Sequence, residues 1–406
     1  MIDLVLFIVV LFFIIIVTTI IYFKEPFSPI VLFGVPITIQ YIIYYYVYSD
    51  VYTLSNSTLF IYTLGLMFFI IGHLFYRLMI REKISDNDWN SLIHGKSNYI
   101  VIYSCLIIGI VFLIMTQNYL NSFGVGASNF SSDSLNIREN FINNLAKVPF
   151  YVIYGKYFLL FSISYIWYDF LTGKKNINKG LMFGLLLLLF YNAFSVYSRT
   201  DLLISILPIF IIFIRIKILN TNLQKKIEMK KVRKQVIGLT LALFLLLILM
   251  NSTREVENST SFFSVNNQVM QYIGRPLIAF DQWVLQHPKS SNQLLTFEPL
   301  NKVLLSIGVF EGSNVALSPK GQFNVFSYLR APYMDFGFIG VPIIMFIVGI
   351  ACHYFYLKFK SNSKSWIIFY SVFAYGIIMS FFDWQFFIIT FVYLGVFIFF
   401  VDKIRL

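Results

Sequence analysis

The chain has 406 residues, of which 58% are hydrophobic, 19% aromatic and only 12% charged, with a formal net charge of +12. This composition excludes a soluble enzyme of several domains and is typical of a polytopic membrane protein. The positive charge does not indicate a nucleic-acid partner, because most basic residues fall in short loops between apolar runs.

About eleven apolar runs predict transmembrane helices, since roughly 20 apolar residues suffice to cross a bilayer as a helix. The runs cover residues 3–23, 27–48, 58–80, 99–118, 149–170, 180–195, 200–218, 236–250, 338–358, 366–381 and 384–401. The first run lacks the basic start and the cleavage site of a signal peptide, so we expect it to be retained. The predicted fold is an all-α polytopic membrane protein, a single integral domain over residues 1–406.

Basic residues set the expected orientation of these helices. Loop 219–235 contains a dense run of Lys and Arg between Lys225 and Lys234, offset only by Glu228. By the positive-inside rule, this loop is expected to be cytoplasmic. Alternation along the chain then places the N-terminus outside and the C-terminus inside.

Two long loops, residues 119–148 and 251–337, are expected on the outer side. Within the larger one, residues 265–286 and 297–310 have apolar side chains at helical spacing. They are predicted to form short amphipathic helices at the membrane interface. A long, partly structured loop on one face usually has a function beyond connection.

Arginines next to the outer ends of spans are candidate ligands for an anion. Arg330 precedes a helix start marked by Gly340 and Pro342, and Arg199 lies at the start of another span. Both helices are expected to point their positive N-terminal ends outward, which suits a phosphate or diphosphate held by guanidinium groups. An arginine that only reaches the lipid headgroups is the alternative for Arg199. Arg275, between a glycine and a proline, is a further candidate.

For proton transfer, Asp335 has the best position, between Arg330 and the helix start. Its alternative is an ion pair with Arg330 that only holds the loop. His287 precedes a proline in a polar loop and could act near neutral pH. No cluster with metal-ligand spacing is visible, and Cys105 and Cys352 lie in apolar runs as expected of small core residues. We therefore expect neither a metal nor another cofactor.

The segment NVFSYLRAPYMDFGFIGVPIIMFIVGI (Asn324–Ile350) resembles the late hallmark of bacterial oligosaccharide repeat-unit polymerases, the O-antigen polymerases of the Wzy type. The segment YSRTDLL (Tyr197–Leu203) resembles their arginine motif, and YIGRPLIAFD (Tyr272–Asp281) resembles part of their large periplasmic loop.

The resemblance implies a GT-C-like, inverting and metal-independent glycosyltransferase of the bacterial inner membrane, with the N-terminus periplasmic and the C-terminus cytoplasmic. Donor and acceptor would both be undecaprenyl-diphosphate-linked oligosaccharides, and a polysaccharide chain-length regulator is a possible partner besides the lipid bilayer. Arg199, Arg275 and Arg330 would then bind the diphosphate, and Asp335 or His287 would accept the proton. Arg254, Tyr272, Asp281 and Tyr333 would contact the substrate.

Three alternatives stay open at this point. A ligase that moves the finished glycan to another acceptor would use the same arginines. A flippase or other transporter would be expected to have duplicated halves and polar residues deep in several spans, which the sequence does not show. A scaffold of a polysaccharide assembly complex would tolerate single arginine substitutions.

Overall fold

The computed structural model describes residues 25–80, 98–121, 149–173, 177–195, 199–222, 268–285, 294–308, 325–361 and 363–403. These residues are mainly helical and contain no β-strand. Six of the helices are long and apolar enough to cross a membrane, and three more are apolar but shorter. The prediction of an all-α membrane protein is confirmed at this level. The predicted spans at 3–23 and 236–250 lie outside the described residues.

The helices are numbered here in chain order. They are α1 (Pro29–Ile43), α2 (Asn56–Met79), α3 (Tyr99–Asn121), α4 (Phe150–Thr172), α5 (Lys179–Ser195), α6 (Arg199–Asn222), α7 (Gln268–Ala279), α8 (Glu298–Ser306), α9 (Arg330–Lys360), α10 (Lys364–Met379) and α11 (Ile389–Lys403). A π-helical turn extends α1 over Tyr44–Tyr48, and another extends α7 over Phe280–Val284. A 3₁₀ turn, Leu295–Phe297, precedes α8. The two short helices predicted in the large loop are therefore present as α7 and α8.

The chain divides into two compact units. The first comprises Met1–Asp86, Val256–Ser361 and Phe373–Val392. The second comprises Asn87–Glu255, Asn362–Val372 and Tyr393–Leu406.

In the first unit, α2 and α9 run parallel and approach closely at two glycines. A side chain on Gly72 would meet the carbonyl oxygen of Phe346 at 2.1 Å, and one on Gly349 would meet that of Phe69 at 2.2 Å. Small residues permit such close backbone contact between membrane helices. Next to them, His353 Nδ1 lies 3.2 Å from Nε2 of the buried His73.

In the second unit, α4 packs antiparallel to α3 and parallel to α6. A side chain on Gly109 of α3 would meet Leu159 of α4 at 2.8 Å. The Trp167 indole of α4 donates to the carbonyl oxygen of Ile209 in α6 at 3.1 Å. Because α4 and α6 are parallel, their N-terminal ends lie on the same side.

Helix α9 is broken at Gly337, whose backbone has φ 68° and ψ −159°. Glycine adopts this conformation readily, whereas other residues are strained in it. The break separates a short helix, residues 330–336 (the 330–336 helix), from the long apolar part of α9. The predicted helix start near Gly340 is thus close to the observed one. A side chain on Gly340 would lie 2.2 Å from Cβ of Phe336, so the two parts are folded tightly against each other.

Candidate functional site

The turn between α10 and α11, residues 380–388 (the 380–388 turn), connects several segments of the first unit. Its sequence is rich in aromatic residues, which provide large surfaces for packing. The ring of Phe382 stacks on Tyr272 of α7, with centroids 4.1 Å apart. The Trp384 indole donates to the carbonyl oxygen of Thr296 at 2.9 Å. The turn therefore holds α7 and the segment before α8 in fixed positions.

The side chain of Gln40, buried in α1, strengthens this arrangement. Its amide nitrogen donates to the carbonyl oxygen of Ile273 in α7 at 2.9 Å and to that of Phe381 in the turn at 2.8 Å. A buried amide needs such partners, because an unsatisfied donor in the interior is costly. The side chain of Gln40 thus connects α1 with α7 and with the 380–388 turn through hydrogen bonds.

Arg330, the first residue of the 330–336 helix, forms an ion pair with Asp383 of the turn. The distance from Nη2 to Oδ2 is 3.2 Å, and the two side chains are only 20% and 19% exposed. The guanidinium also lies over the ring of Phe326, 5.1 Å from its centroid. Arg330 is therefore fixed by a carboxylate and an aromatic face rather than by Asp335.

The backbone beside this ion pair is strained. Ser327 is buried and has a φ of 67°, a value that residues other than glycine rarely adopt. Its N–H donates to the carbonyl oxygen of Phe382 at 3.1 Å, and it forms an isolated parallel bridge with Asp383. Strain of this kind persists only where surrounding contacts determine it, and it is frequent at functional sites.

Arg330, Asp383, Ser327 and Phe326 together form the Arg330 cluster. Within the described part of the chain, three buried polar atoms of this cluster have no hydrogen-bond partner: Arg330 Nε, Asp383 Oδ1 and Ser327 Oγ. Buried polar groups without partners are costly and uncommon in native proteins. Burial raises the pKa of the Asp383 carboxyl, while the Arg330 guanidinium opposes that shift. The cluster thus has a fixed cation with one donor that no described residue accepts.

Asp335, the predicted proton acceptor, is engaged with the backbone. Its two oxygens accept the N–H of Leu295 at 2.9 Å and that of Thr296 at 2.6 Å. A carboxylate in this position stabilises the start of a helical segment by binding N–H groups that lack helical partners. Its role in proton transfer stays a prediction.

Asp281 lies in the π-helical turn after α7 and binds the start of α2. It accepts hydrogen bonds from the hydroxyls of Tyr52, Ser55 and Thr58, and from the N–H of Ser55 at 3.2 Å. Burial and the neighbouring carboxylate raise the pKa of Tyr52, so its hydroxyl stays protonated and donates. Most acceptor capacity of Asp281 is therefore used within the protein.

Asp281 and Tyr333, both predicted to contact substrate, line one cleft of about 480 Å³. The other lining residues are Ser55, Ser57, Phe60, Ile61, Leu285 and Phe338. The structure thus brings together two predicted residues that belong to separate segments of the chain.

The remaining predicted residues are distributed as follows. Arg275 is exposed on α7. This helix packs closely on the π-helical turn after α1, since a side chain on Gly274 would meet Tyr48 at 2.6 Å. Arg199 begins α6 in the second unit, and its side chain lies outside the described residues, as do Arg254 and His287. Asp201, two residues after Arg199, forms an ion pair with Lys156 of α4.

The sequence does not indicate two residues of this site, Asp383 and Gln40. The signal for Asp383 is a carboxylate in the aromatic run FFDWQFF between two apolar spans, where an ionisable residue is a functional candidate. Among the described residues, no group of three or more His, Cys, Asp or Glu could hold a metal ion.

No protein-family model, curated protein or solved structure matches the chain. The site is therefore interpreted from its own chemistry. It offers a fixed guanidinium with an unused donor, a partly buried carboxylate beside it, and a separate cleft lined by hydroxyl and aromatic groups.

Proposed function

We propose that the chain is a membrane-embedded glycosyltransferase that polymerises undecaprenyl-diphosphate-linked oligosaccharide repeat units on the periplasmic face of the bacterial inner membrane. The observation that carries this proposal is the Arg330 cluster, because three of its residues belong to the segment that resembles the polymerases. Arg330 is held in place at the start of α9 and keeps a buried donor without a partner.

The proposed reaction develops negative charge on the leaving group. A hydroxyl oxygen of the acceptor sugar attacks the anomeric carbon of the donor, and the bond from that carbon to the diphosphate breaks. The bonding electrons leave with undecaprenyl diphosphate, and the configuration at the anomeric carbon is inverted. Preorganised cations that bind this charge lower the barrier, and one such donor typically contributes about 10²–10³-fold to the rate.

Arg330 suits this role for an electrostatic reason. Its ion pair with Asp383 and its contact with Phe326 determine its position before substrate arrives. A cation that is already ordered does not have to be reorganised during the reaction. Arg275 and Arg199 are proposed as further diphosphate ligands.

The acceptor hydroxyl must also lose its proton. Asp335 lies five residues after Arg330, in the 330–336 helix, and is proposed as the group that accepts it. Because both its oxygens already accept backbone N–H groups, a hydroxyl would have to approach the remaining lone pairs. His287 is the second candidate for this step.

The proposal is tested by the length of the surface glycan in a strain that lacks the gene. The strain is complemented with the wild type, with Arg330→Gln, or with Lys358→Gln, which removes a cation near the opposite end of the same helix. Membrane abundance of each protein is measured in parallel. We expect ladders of long glycan from the wild type and from Lys358→Gln, but glycan of a single repeat from Arg330→Gln.

Two outcomes would contradict the proposal. Full ladders from Arg330→Gln at normal abundance would show that this cation is not needed. Long lipid-linked glycan that is formed in the deletion strain but never reaches its final acceptor would indicate a ligase instead.

A further inference from the structure

The cleft between the start of α2 and the break in α9 differs in its chemistry from the Arg330 cluster. Its volume is about 480 Å³, and none of the residues that the structure places along it is basic. Ligand sites typically combine apolar walls with a few well-placed polar groups, and this cleft has both.

One end of the cleft is polar. Ser55 and Ser57 lie at the start of α2, Asp281 is bonded to Ser55, and Tyr333 contributes a phenol. Hydroxyl groups both donate and accept hydrogen bonds, whereas a carboxylate only accepts them. A carboxylate without a neighbouring cation repels phosphate. This end therefore favours an uncharged ligand rich in hydroxyl groups.

The other end of the cleft is apolar and aromatic. The rings of Phe60 and Phe338 stack with centroids 5.7 Å apart and an angle of 13° between their planes. Both side chains are exposed, and the neighbouring Ile339 is 67% exposed. An apolar surface continues from the cleft along α9, so an acyl or polyprenyl chain could leave the cleft without crossing polar groups.

The 330–336 helix connects the cleft with the Arg330 cluster. Arg330 and Tyr333 are three residues apart, at neighbouring positions on the helix surface. Arg330 contacts the 380–388 turn, while Tyr333 lines the cleft and packs edge-to-face on the buried Phe280. A rigid element with one residue in each site can fix two ligands relative to each other.

We propose that this cleft binds the uncharged, hydroxyl-rich sugar of a membrane amphiphile, with Tyr333 hydrogen-bonding a sugar hydroxyl and the chain lying along Phe60 and Phe338. The lipid-linked substrates of the proposed reaction carry a diphosphate between sugar and chain, so this neutral amphiphile is a separate ligand. The inference therefore goes beyond the proposed function and follows from the lining of the cleft alone.

The test measures how fast a cysteine in the cleft reacts with a maleimide in lipid nanodiscs. Ser57→Cys is prepared in a Cys105→Ser background, since Cys352 is buried. The probes are octyl β-glucoside below its micellar concentration and octyl phosphate, which has the same chain and a charged head. Ser306→Cys, at an exposed position on α8, is the control for nonspecific effects of the probes.

We expect octyl β-glucoside at twice its dissociation constant to slow labelling of Ser57→Cys about threefold, because a third of the sites stay empty. Octyl phosphate should have no such effect, and neither probe should protect Ser306→Cys. Adding Tyr333→Ala should weaken the protection by the glucoside. Equal protection by both probes, or protection of Ser306→Cys, would overturn the proposal.

Arg330→Gln separates this inference from the proposed function. In the Ser57→Cys background it should leave protection by the glucoside unchanged, because Arg330 does not line the cleft. Suppose that Arg330→Gln supports full glycan ladders while the glucoside still protects Ser57→Cys. That result would support the ligand proposed for the cleft and contradict the proposed polymerase function. If the ladders are lost as expected but the glucoside gives no protection, the cleft inference fails alone.

Discussion

The guanidinium of Arg330 and the carboxylate of Asp383 lie 3.2 Å apart, although the two residues are separated by 53 positions in the chain. This ion pair joins the start of α9 to the turn between α10 and α11. The same turn contacts α7 through Phe382 and the segment before α8 through Trp384. Asp383 thereby determines where the cation points.

Asp383→Asn should reduce both stability and activity. The amide keeps the shape of the side chain but loses the charge that balances Arg330. Leaving a partly buried cation without its partner costs about 1–3 kcal/mol. The measurement is the thermal unfolding midpoint in nanodiscs, together with glycan length. Asp50→Asn, at an exposed position in the same unit, is the matched control and should unfold as the wild type does. A midpoint for Asp383→Asn equal to that of Asp50→Asn would contradict the account.

Gly72 should not tolerate a side chain. Its Cβ would lie 2.1 Å from the carbonyl oxygen of Phe346, so α2 and α9 would have to separate. Overpacking of this kind costs about 1–3 kcal/mol or more. We expect Gly72→Leu to lower membrane abundance and the unfolding midpoint. A Cβ on Gly184 of α5 would meet nothing within 4 Å, so Gly184→Leu should be tolerated. If Gly184→Leu lowers abundance and the unfolding midpoint as much as Gly72→Leu does, the packing argument is wrong.

The buried imidazoles of His73 and His353 should be energetically coupled. The centroids of the two rings lie 4.2 Å apart, and the ring planes are nearly perpendicular. Nδ1 of His353 lies 3.2 Å from Nε2 of His73. Hydrogen bonds between membrane helices contribute about 0.6 kcal/mol on average and up to about 1.7 kcal/mol. A double-mutant cycle with His73→Phe and His353→Phe, read from unfolding free energies, should give a coupling in this range. Additive effects would show that the two side chains do not stabilise one another.

The sequence predicted the helices well because bilayer thickness fixes the length of an apolar run. The ranges of α2 and α9 and the start near Gly340 follow from hydropathy and from glycine and proline chemistry. The short helices α7 and α8 follow from apolar residues at helical spacing. Gly72 and Gly349 could have been identified as small residues in apolar helices, where close packing is expected.

The contacts of the site were not predictable in the same way. No local pattern relates Arg330 to Asp383, since an ion pair between distant segments depends on the packing of the whole unit. The positive φ of Ser327 has no sequence signature, because it is imposed by the neighbouring turn. Asp281 and Asp335 were selected as polar residues near the expected site, but the backbone and hydroxyl groups that occupy their oxygens could not be foreseen.

The most direct test of the central claim is the affinity of the purified protein in nanodiscs for farnesyl diphosphate, a short polyprenyl diphosphate. A hydrogen bond to a charged group contributes about 1.5–3 kcal/mol, so Arg330→Gln should weaken binding about tenfold or more. Lys358→Gln should bind as the wild type does. Equal affinity of Arg330→Gln and the wild type would contradict the assignment of Arg330 as a diphosphate ligand.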